Sequence, residues 1–244
     1  MQLQGTVMLV TGGAHRIGKA IAMALAREGA HIAFTYNASE AAAETTLREI
    51  GALGVRGLSI RCDQSKPDQI KTVVDEVTSK WGRLDGLVNS ASIWQEKPLF
   101  EITPMDWDMT MNVNARGPFF FIHWVAKWML EHGGGAIVNI IDESALKPSI
   151  NYIHHGASKT ALWMLTRSCA LSLAPSIRVN AVLPGAVLKP PDWEEDRWQN
   201  LAKNIPLRRV GDSIDVAHAV VYLMEQDYIT GQSIVVDGGS TLRT

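Results

Sequence analysis

Glycines and one arginine share a short stretch near the start of the chain whose composition fits phosphate binding. The apolar run Val7–Val10 leads into Thr11-Gly12-Gly13-Ala14-His15-Arg16-Ile17-Gly18, and an amphipathic helix pattern follows at once. Glycines at a strand-to-helix turn let the backbone approach a pyrophosphate, and the N-terminus of the helix supplies N–H donors and a positive dipole. We therefore predict a dinucleotide-binding loop whose cofactor contacts are Thr11, Gly12, His15, Arg16, Ile17 and Gly18.

The second apolar run ends in a way that favours a phosphorylated cofactor. It closes on Thr35-Tyr36-Asn37, without the carboxylate that grips an adenosine 2′-hydroxyl. Arg16 lies in the phosphate loop instead, and a guanidinium pairs bidentately with a 2′-phosphate. We expect NADPH rather than NADH, with Tyr36 and Asn37 beside it, unless Arg16 only caps a surface helix. Asp63, after the third run, is expected to accept a hydrogen bond from the adenine amino group, unless it is an ordinary solvated loop aspartate.

The elements that must position these residues alternate along the whole chain. Short apolar runs are separated by longer segments of helical period, with no internal repeat and no Pro/Gly/Ser linker. Apolar strands separated by helices indicate a parallel sheet covered on both faces, with ligands at the carboxyl ends of the strands. The sequence predicts a single α/β domain over residues 1–244, a Rossmann-like doubly wound parallel sheet of about seven strands flanked by helices. The expected strands are Val7–Val10, His31–Tyr36, Val55–Cys62, Leu84–Asn89, Ala136–Ile141, Arg178–Leu183 and Ser233–Val236, and the expected helices include Ile17–Arg27, Ser39–Leu53, Pro67–Lys80, Met105–Leu130 and Tyr152–Leu173.

The composition argues against several function classes. There are 23 basic against 25 acidic residues, which does not fit a nucleic-acid protein held by phosphate neutralisation. The most apolar stretch, Pro118–Leu130, is short and is broken by His123 and Lys127, so no membrane span is expected. Cys62 and Cys169 form neither a disulfide framework nor a C-x-x-C metal site. We expect a cytoplasmic protein without a metal.

Several motifs, taken in order and spacing, resemble the short-chain dehydrogenase/reductase family over essentially the whole chain. They are Thr11–Gly18, Asp63, Asn89-Ser90-Ala91, Asn114–Gly117, Ile137–Ile141, Ala157–Lys159, Arg178–Gly185 and Thr230–Gly239. The resemblance implies a nicotinamide cofactor and a small-molecule substrate. It implies cofactor contacts from Asn89, Ser90, Ala91, Lys159, Pro184 and Gly185, and a catalytic set that includes Asn114 and Lys159.

Within this family the sequence is most similar to the pteridine reductases and the related dihydromonapterin/dihydrofolate reductases. Arg16 replaces the usual middle glycine, and Asp142 stands where most members carry the catalytic serine, as in that branch. Ser92 falls where the branch contacts the pterin, and Trp94 falls where an aromatic ring stacks on it. The resemblance implies hydride transfer to an imine carbon of a dihydropterin. The alternatives are an NADPH-dependent ketoreductase of 3-oxoacyl or small carbonyl compounds, and an NADPH-binding sensor or scaffold with impaired catalysis.

The position of the family's acid holds an unexpected residue. That acid is a tyrosine four residues before the lysine, and here it is His155 before Lys159, a spacing that keeps both side chains on one helix face. The Lys159 cation disfavours a charged imidazole, whereas Asp142, if it lies close, favours one. Three interpretations stay open. The Asp142–His155 pair donates the proton, or Tyr152 or Asp142 with water supplies it, or efficient reduction has been lost. Asp142, Tyr152 and His155 also face the expected substrate, while the neighbouring His154 is expected at the surface or in the substrate pocket.

Two further segments carry weaker signals. The segment 189–204 combines two prolines, several acids and two tryptophans, which predicts a substrate-covering lid, an insertion at an interface or a plain surface loop. Lys189 stands where many relatives have a threonine that touches the nicotinamide carboxamide. The helices expected over Met105–Leu130 and Tyr152–Leu173 carry apolar residues on more than one face. Because the family commonly pairs through these two helices, we expect a homotetramer, with a dimer as the alternative.

Overall fold

Seven parallel strands form one sheet, and helices cover both of its faces. The computed structural model describes residues 1–190 and 193–243. The strand order is β3-β2-β1-β4-β5-β6-β7, and every neighbouring pair runs parallel. The order reverses between β1 and β4, which is where doubly wound sheets bind ligands at the carboxyl ends of their strands. The strands are β1 (Val7–Val10), β2 (His31–Tyr36), β3 (Gly57–Arg61), β4 (Gly86–Asn89), β5 (Gly135–Ile140), β6 (Ile177–Pro184) and β7 (Ser233–Val236).

The helices named from the sequence are all present except that one of them is divided, and α7 and α8 are additional. The predicted helix Met105–Leu130 is wrong as a single element, because a π-helical turn over Asn112–Arg116 divides it. A π turn holds one residue more than an α turn, and such turns are frequent at functional sites. This turn carries Asn114, whose side chain is fully buried. The helices are α1 (Arg16–Arg27), α2 (Glu40–Ala52), α3 (Pro67–Trp81), α4 (Pro104–Met111), α5 (Gly117–Glu131), α6 (Ile153–Leu173), α7 (Glu195–Ala202) and α8 (Ser213–Glu225).

Strand β1, which leads into the predicted phosphate loop, is buried on both faces of the sheet. Along β1, Met8 and Val10 pack into the cluster under α1 and α8, whereas Val7 and Leu9 pack into the cluster under α3 and α5. This alternation follows from the two-residue period of a strand. No helix among the described residues is long and apolar enough to span a membrane.

The segment 189–204 is only partly described. Pro191 and Asp192 lie outside the described residues. The described remainder contains α7, on which Trp198 is buried.

Candidate active site

The predicted phosphate loop joins β1 to α1 through a turn that needs glycine at two positions. Gly12 has a φ of +66°, in the left-handed region. A Cβ added at Gly18 would lie 2.2 Å from the carbonyl oxygen of Gly12, so no side chain fits there. The first turn of α1 contains no acid, and its N-cap, His15, makes no side-chain cap. The free N–H groups and the positive end of the helix therefore suit a pyrophosphate, and these residues fit a dinucleotide.

Thr11 supports this loop from below. Its side chain is fully buried, and its Oγ1 accepts hydrogen bonds from the backbone nitrogens of Ser90, at 2.9 Å, and Ala91, at 3.0 Å. Asn89 is also buried, and its Nδ2 donates to Asn139 Oδ1 on β5 at 2.8 Å. Of these expected cofactor contacts, Thr11 therefore connects the loop after β1 to the loop after β4, and Asn89 connects β4 to β5.

The adenosine end of the predicted site lies beyond β2. Arg16 is exposed with a φ of +54°, and Asn37 is exposed at the end of the strand. No ion pair within residues 1–190 and 193–243 engages Arg16. Asp63 accepts hydrogen bonds from the Ser65 hydroxyl at 2.7 Å and the Ser65 backbone, and these hold the pKa of Asp63 below its ordinary value. Asp63 is thus an ionised acceptor at the carboxyl edge of the sheet.

Lys159 lies below the site, on α6. It is buried, and its Nζ donates to the carbonyl oxygen of Ile140 at the end of β5, at 3.1 Å. Burial lowers the pKa of Lys159 to about 8, although the charge of Asp142 opposes this shift. A buried ammonium with a single protein acceptor keeps two donors for a ligand.

Asn114 joins the loop after β4 to α6. Its Oδ1 accepts from Ile93 N at 2.9 Å and from the Ser92 hydroxyl at 3.1 Å. Its Nδ2 donates to Ile93 O at 3.0 Å and to Ser158 Oγ at 3.2 Å. Both amide protons are therefore used, and the backbone of Ile93 is held in place.

The imidazole of His155 lies between this loop and Asp142. Its Nδ1 is 3.2 Å from Ile93 O, and because a carbonyl only accepts, we assign the proton to Nδ1. Its Nε2 lies 3.9 Å from Asp142 Oδ2 and has no hydrogen-bond partner in the described chain. The resemblance left the proximity of Asp142 to His155 conditional, and the structure places them as neighbours. Nε2 is thus the atom free to exchange a proton.

Asp142 is the charged partner of this pair. Burial would raise the pKa of Asp142, but His155 and the Ser144 backbone N–H, at 2.8 Å from Oδ1, outweigh burial and lower it. The side chain keeps 31% of its surface exposed. Asp142 is therefore an ionised carboxylate that solvent and substrate can reach.

Trp94 and Tyr152 form a stacked pair beside His155. Their ring centroids are 4.5 Å apart with an interplanar angle of 16°, and Trp94 is 42% exposed. The Tyr152 hydroxyl donates to Glu96 Oε2 at 2.9 Å, and burial together with Glu96 raises the pKa of Tyr152. This hydroxyl is thus committed to Glu96 and is a weaker acid than a free phenol.

The described part of the segment 189–204 packs on this pair. Trp193 lies 6.5 Å from Trp94 and 6.4 Å from Trp198 between ring centroids. The guanidinium of Arg197 lies 3.6 Å over the Trp193 ring, and its Nη2 is 3.8 Å from Glu96 Oε2. We call Trp94, Tyr152, Trp193 and Arg197 the aromatic platform.

Pro184 and Gly185 end β6 beside the C-terminal turn. Pro184 is buried, and a Cβ at Gly185 would meet Asp237 Cβ at 2.7 Å and Glu143 Oε2 at 3.1 Å. Burial raises the pKa of Glu143. The turn at Pro184 and Gly185 therefore packs on a carboxyl group that the sequence did not single out.

Two contacts and one buried residue had no clear signal in the sequence. The orienting group of His155 is the Ile93 carbonyl, which has no side-chain signature. Glu96 meets Tyr152 across 56 positions of sequence. His154 is fully buried, and neither ring nitrogen has a partner in the described chain, so the expectation that it lies at the surface is wrong.

Comparisons with known proteins agree with this geometry. A family model described as enoyl-(acyl carrier protein) reductase matches residues 12–241. The chain belongs to the short-chain dehydrogenase/reductase family. It is 35% identical over 236 residues to a 3-oxoacyl-[acyl-carrier-protein] reductase FabG of Staphylococcus epidermidis, covering 95% of this chain and 97% of the relative.

Solved short-chain dehydrogenase/reductase structures show the same fold. A blue fluorescent protein from a metagenomic library, solved with NADPH, has a TM-score of 0.92 and 36% identity, covering 98% of this chain and 99% of that one. Acetoin dehydrogenase from Enterobacter cloacae has a TM-score of 0.90 and 35% identity, covering 100% and 97%. The predicted family and fold are confirmed, and the protein is a nicotinamide-dependent short-chain oxidoreductase.

Proposed function

We propose that this protein uses NADPH to reduce a ring imine of a flat heterocycle, with dihydropterins as the substrate class and His155 as the proton donor. The observation that carries the proposal is the Asp142–His155 pair, with 3.9 Å between Oδ2 and Nε2. NADPH is the cofactor, supported by the glycine turn, by the exposed Arg16 and by the relative solved with NADPH.

An ionised Asp142 favours an imine over a ketone. Reduction of a ketone develops negative charge on oxygen, which a neighbouring carboxylate opposes, because donors rather than acceptors stabilise such charge. Reduction of an imine requires a proton on nitrogen, and a carboxylate stabilises the cationic or N–H form. An imine nitrogen is also more basic than a ketone oxygen, so it demands less of the acid.

His155 is arranged to donate from one nitrogen only. Nδ1 is held by the Ile93 carbonyl, so a second proton must enter and leave through Nε2, which faces Asp142. Asp142 stabilises the imidazolium in the way that a carboxylate stabilises the charged histidine of a catalytic triad. NADPH, when bound, supplies the hydride, and Lys159 offers its ammonium protons to the cofactor. Asn114 holds the Ile93 carbonyl in position, and this carbonyl orients the His155 ring.

A 3-oxoacyl thioester reductase is the second candidate. It is favoured by the names of the curated relatives and by the exposed apolar side chains Leu99, Phe100 and Ile150, which suit an acyl chain. However, a 3-oxoacyl reductase and an acetoin dehydrogenase are both 35% identical to this chain, so that level of identity does not select the substrate. The pterin proposal relies on Asp142, His155 and Trp94 instead.

A substrate screen tests the proposal. NADPH oxidation is followed with dihydrobiopterin, dihydrofolate, acetoacetyl thioesters and simple quinones, and each is repeated with NADH. We expect the highest kcat/KM with a dihydropterin and an NADPH:NADH efficiency ratio above one. Preference for a thioester would establish the second candidate. NADPH binding without turnover of any substrate would point to a sensor.

We also propose that the protein is a single-domain homotetramer with α5 and α6 at an interface. Phe119 on α5 and Met164 and Leu171 on α6 are exposed, with Leu171 at 85%. Exposed apolar patches of this kind mark interaction surfaces. A monomeric mass in light scattering would contradict this proposal.

A further inference from the structure

Arg197 is the cation of the aromatic platform, and it is neutralised within the protein. Its guanidinium lies flat on Trp193, and its Nη2 is 3.8 Å from Glu96 Oε2. Stacking and pairing together occupy both the face and one edge of the guanidinium. A substrate carboxylate would have to displace Glu96 to reach it.

Glu96 is itself firmly held next to the predicted substrate position. It accepts hydrogen bonds from Asn151 Nδ2 at 3.0 Å and from the Tyr152 hydroxyl at 2.9 Å. These two bonds, with the charge of Arg197, lower the pKa of Glu96, so the carboxylate stays ionised. Glu96 therefore contacts the platform at Tyr152, and because Tyr152 stacks on Trp94, this fixed negative charge lies one side chain away from Trp94.

The neighbouring lysines do not supply a replacement cation. Lys97 pairs with Asp106 at 2.6 Å, and Lys189 pairs with Glu195 at 2.9 Å. Glu194 and Asp196 are exposed at the N-terminal end of α7 and have no ion-pair partner among residues 1–190 and 193–243. An anionic group that projects from the platform therefore meets Glu96 before it meets an unpaired cation.

We propose that Glu96 determines specificity by making this site select substrates whose side chain, outside the reacting ring or carbonyl, is uncharged. This deepens the proposed function, on which its pterin form rests. Because Glu96 and Arg197 keep 38% and 53% of their side chains exposed, solvent screens the effect. We expect discrimination of about fivefold, the upper end of what an exposed charge pair contributes.

The test compares pterins that share one ring and carry small substituents, one neutral and one anionic. Isothermal titration calorimetry on the NADP⁺ complex measures the Kd of 6-hydroxymethylpterin, which is neutral, and of pterin-6-carboxylate, which is anionic. The neutral ligand should bind about fivefold more tightly, and the ratio should shrink as salt is added. Glu96→Gln keeps an acceptor for Tyr152 and frees Arg197, so the ratio should fall to about one while the Kd of the neutral ligand changes less than about twofold.

Two control variants isolate the charge of Glu96. Glu76→Gln removes an equivalent exposed carboxylate from α3 and should leave the ratio unchanged. Arg197→Met should leave the neutral preference in place, because Glu96 remains ionised. An unchanged Kd for NADP⁺ shows that the variants are folded.

A thioester pair separates failure of this inference from failure of the proposed function. Acetoacetyl-N-acetylcysteamine is neutral, whereas acetoacetyl-coenzyme A carries several phosphate charges. A neutral preference confined to the thioesters and abolished by Glu96→Gln would overturn the pterin function and support the role of Glu96. Pterin binding with a ratio near one, or a ratio that Glu96→Gln leaves unchanged, would overturn the role of Glu96 alone. No binding of either pair would overturn both.

Discussion

Removal of the His155 imidazole tests the proposed proton donor directly. The side chain is 2% exposed and Nε2 has no protein partner in the described chain, so His155→Ala removes the donor without breaking a hydrogen bond at that atom. A positioned general acid contributes roughly 10²–10⁴-fold to the rate. We therefore expect kcat to fall about 100-fold or more, which is about 2.7 kcal/mol of transition-state stabilisation.

The contribution of Asp142 follows from its distance to the same atom. Two unit charges 3.9 Å apart attract by about 4 kcal/mol at an effective dielectric constant of about 20. Water lowers this value, because 31% of the Asp142 side chain is exposed. We take about half, so that Asp142→Asn should lower kcat roughly 10- to 100-fold.

The assay is the pH dependence of kcat for NADPH oxidation with a dihydropterin. His155→Tyr restores the family's usual acid and should retain more activity than His155→Ala, with a different pH profile. His218→Ala replaces an exposed histidine on α8 and should behave like the wild type. A His155→Ala enzyme within about threefold of the wild-type kcat, with normal NADPH binding, would refute the assignment.

Three further predictions follow from local geometry. Gly18→Ala places a methyl group 2.2 Å from a carbonyl oxygen and should abolish NADPH binding in calorimetry. The control is Gly51→Ala on α2, where the added methyl group has no atom within 4 Å. It should leave NADPH binding unchanged and raise the free energy of unfolding in urea by up to about 1 kcal/mol. Because burial lowers the pKa of Lys159 to about 8, the ammonium is lost above that pH. The Kd of NADPH should therefore rise as the pH is raised above about 8. In Lys159→Arg the side chain stays charged, so the Kd should not change over the same pH range. Burial also lowers the pKa of His154, so the unfolded chain takes up the proton first and stability falls as pH drops below 6.5. His154→Phe should reduce the fall in Tm between about pH 7.5 and 5.5 relative to the wild type, and an unchanged fall would contradict this account.

The fold could be predicted because its signals are local and repeated. Each strand is a short apolar run. The glycines in the turn after β1 indicate a phosphate-binding loop, because the turn has no room for a side chain at Gly18. The division of the long helix was missed, and α7 and α8 were not among the helices named from the sequence. The π turn that carries Asn114 adds one residue within a continuous helical pattern, and a pattern of period 3.6 does not reveal one additional residue.

The candidate site was predictable as a set of side chains but not as a network. The spacing alone placed His155 and Lys159 on one helix face, whereas the proximity of Asp142 to His155 stayed conditional on the sequence and is given by the structure. The Ile93 carbonyl and Glu96 could not be found in this way, because their partners, His155 and Tyr152, lie 62 and 56 positions away in the sequence. His154 was misplaced for a related reason: its burial depends on α4 packing against α6, which is a tertiary contact.

The two unusual residues of the site are best understood as one change in charge distribution. A serine and a tyrosine are both neutral, so the family's usual site carries only the charge of its lysine. Aspartate alone would place a negative charge beside a proton donor and weaken that donor. An imidazolium alone would place a second positive charge beside the buried Lys159. An aspartate and an imidazolium together form a neutral pair, and they move the proton donor from an oxygen to a nitrogen. On the proposed mechanism, this exchange suits a basic ring nitrogen as the acceptor, since the pair both delivers the proton and stabilises the positive charge that develops on the substrate.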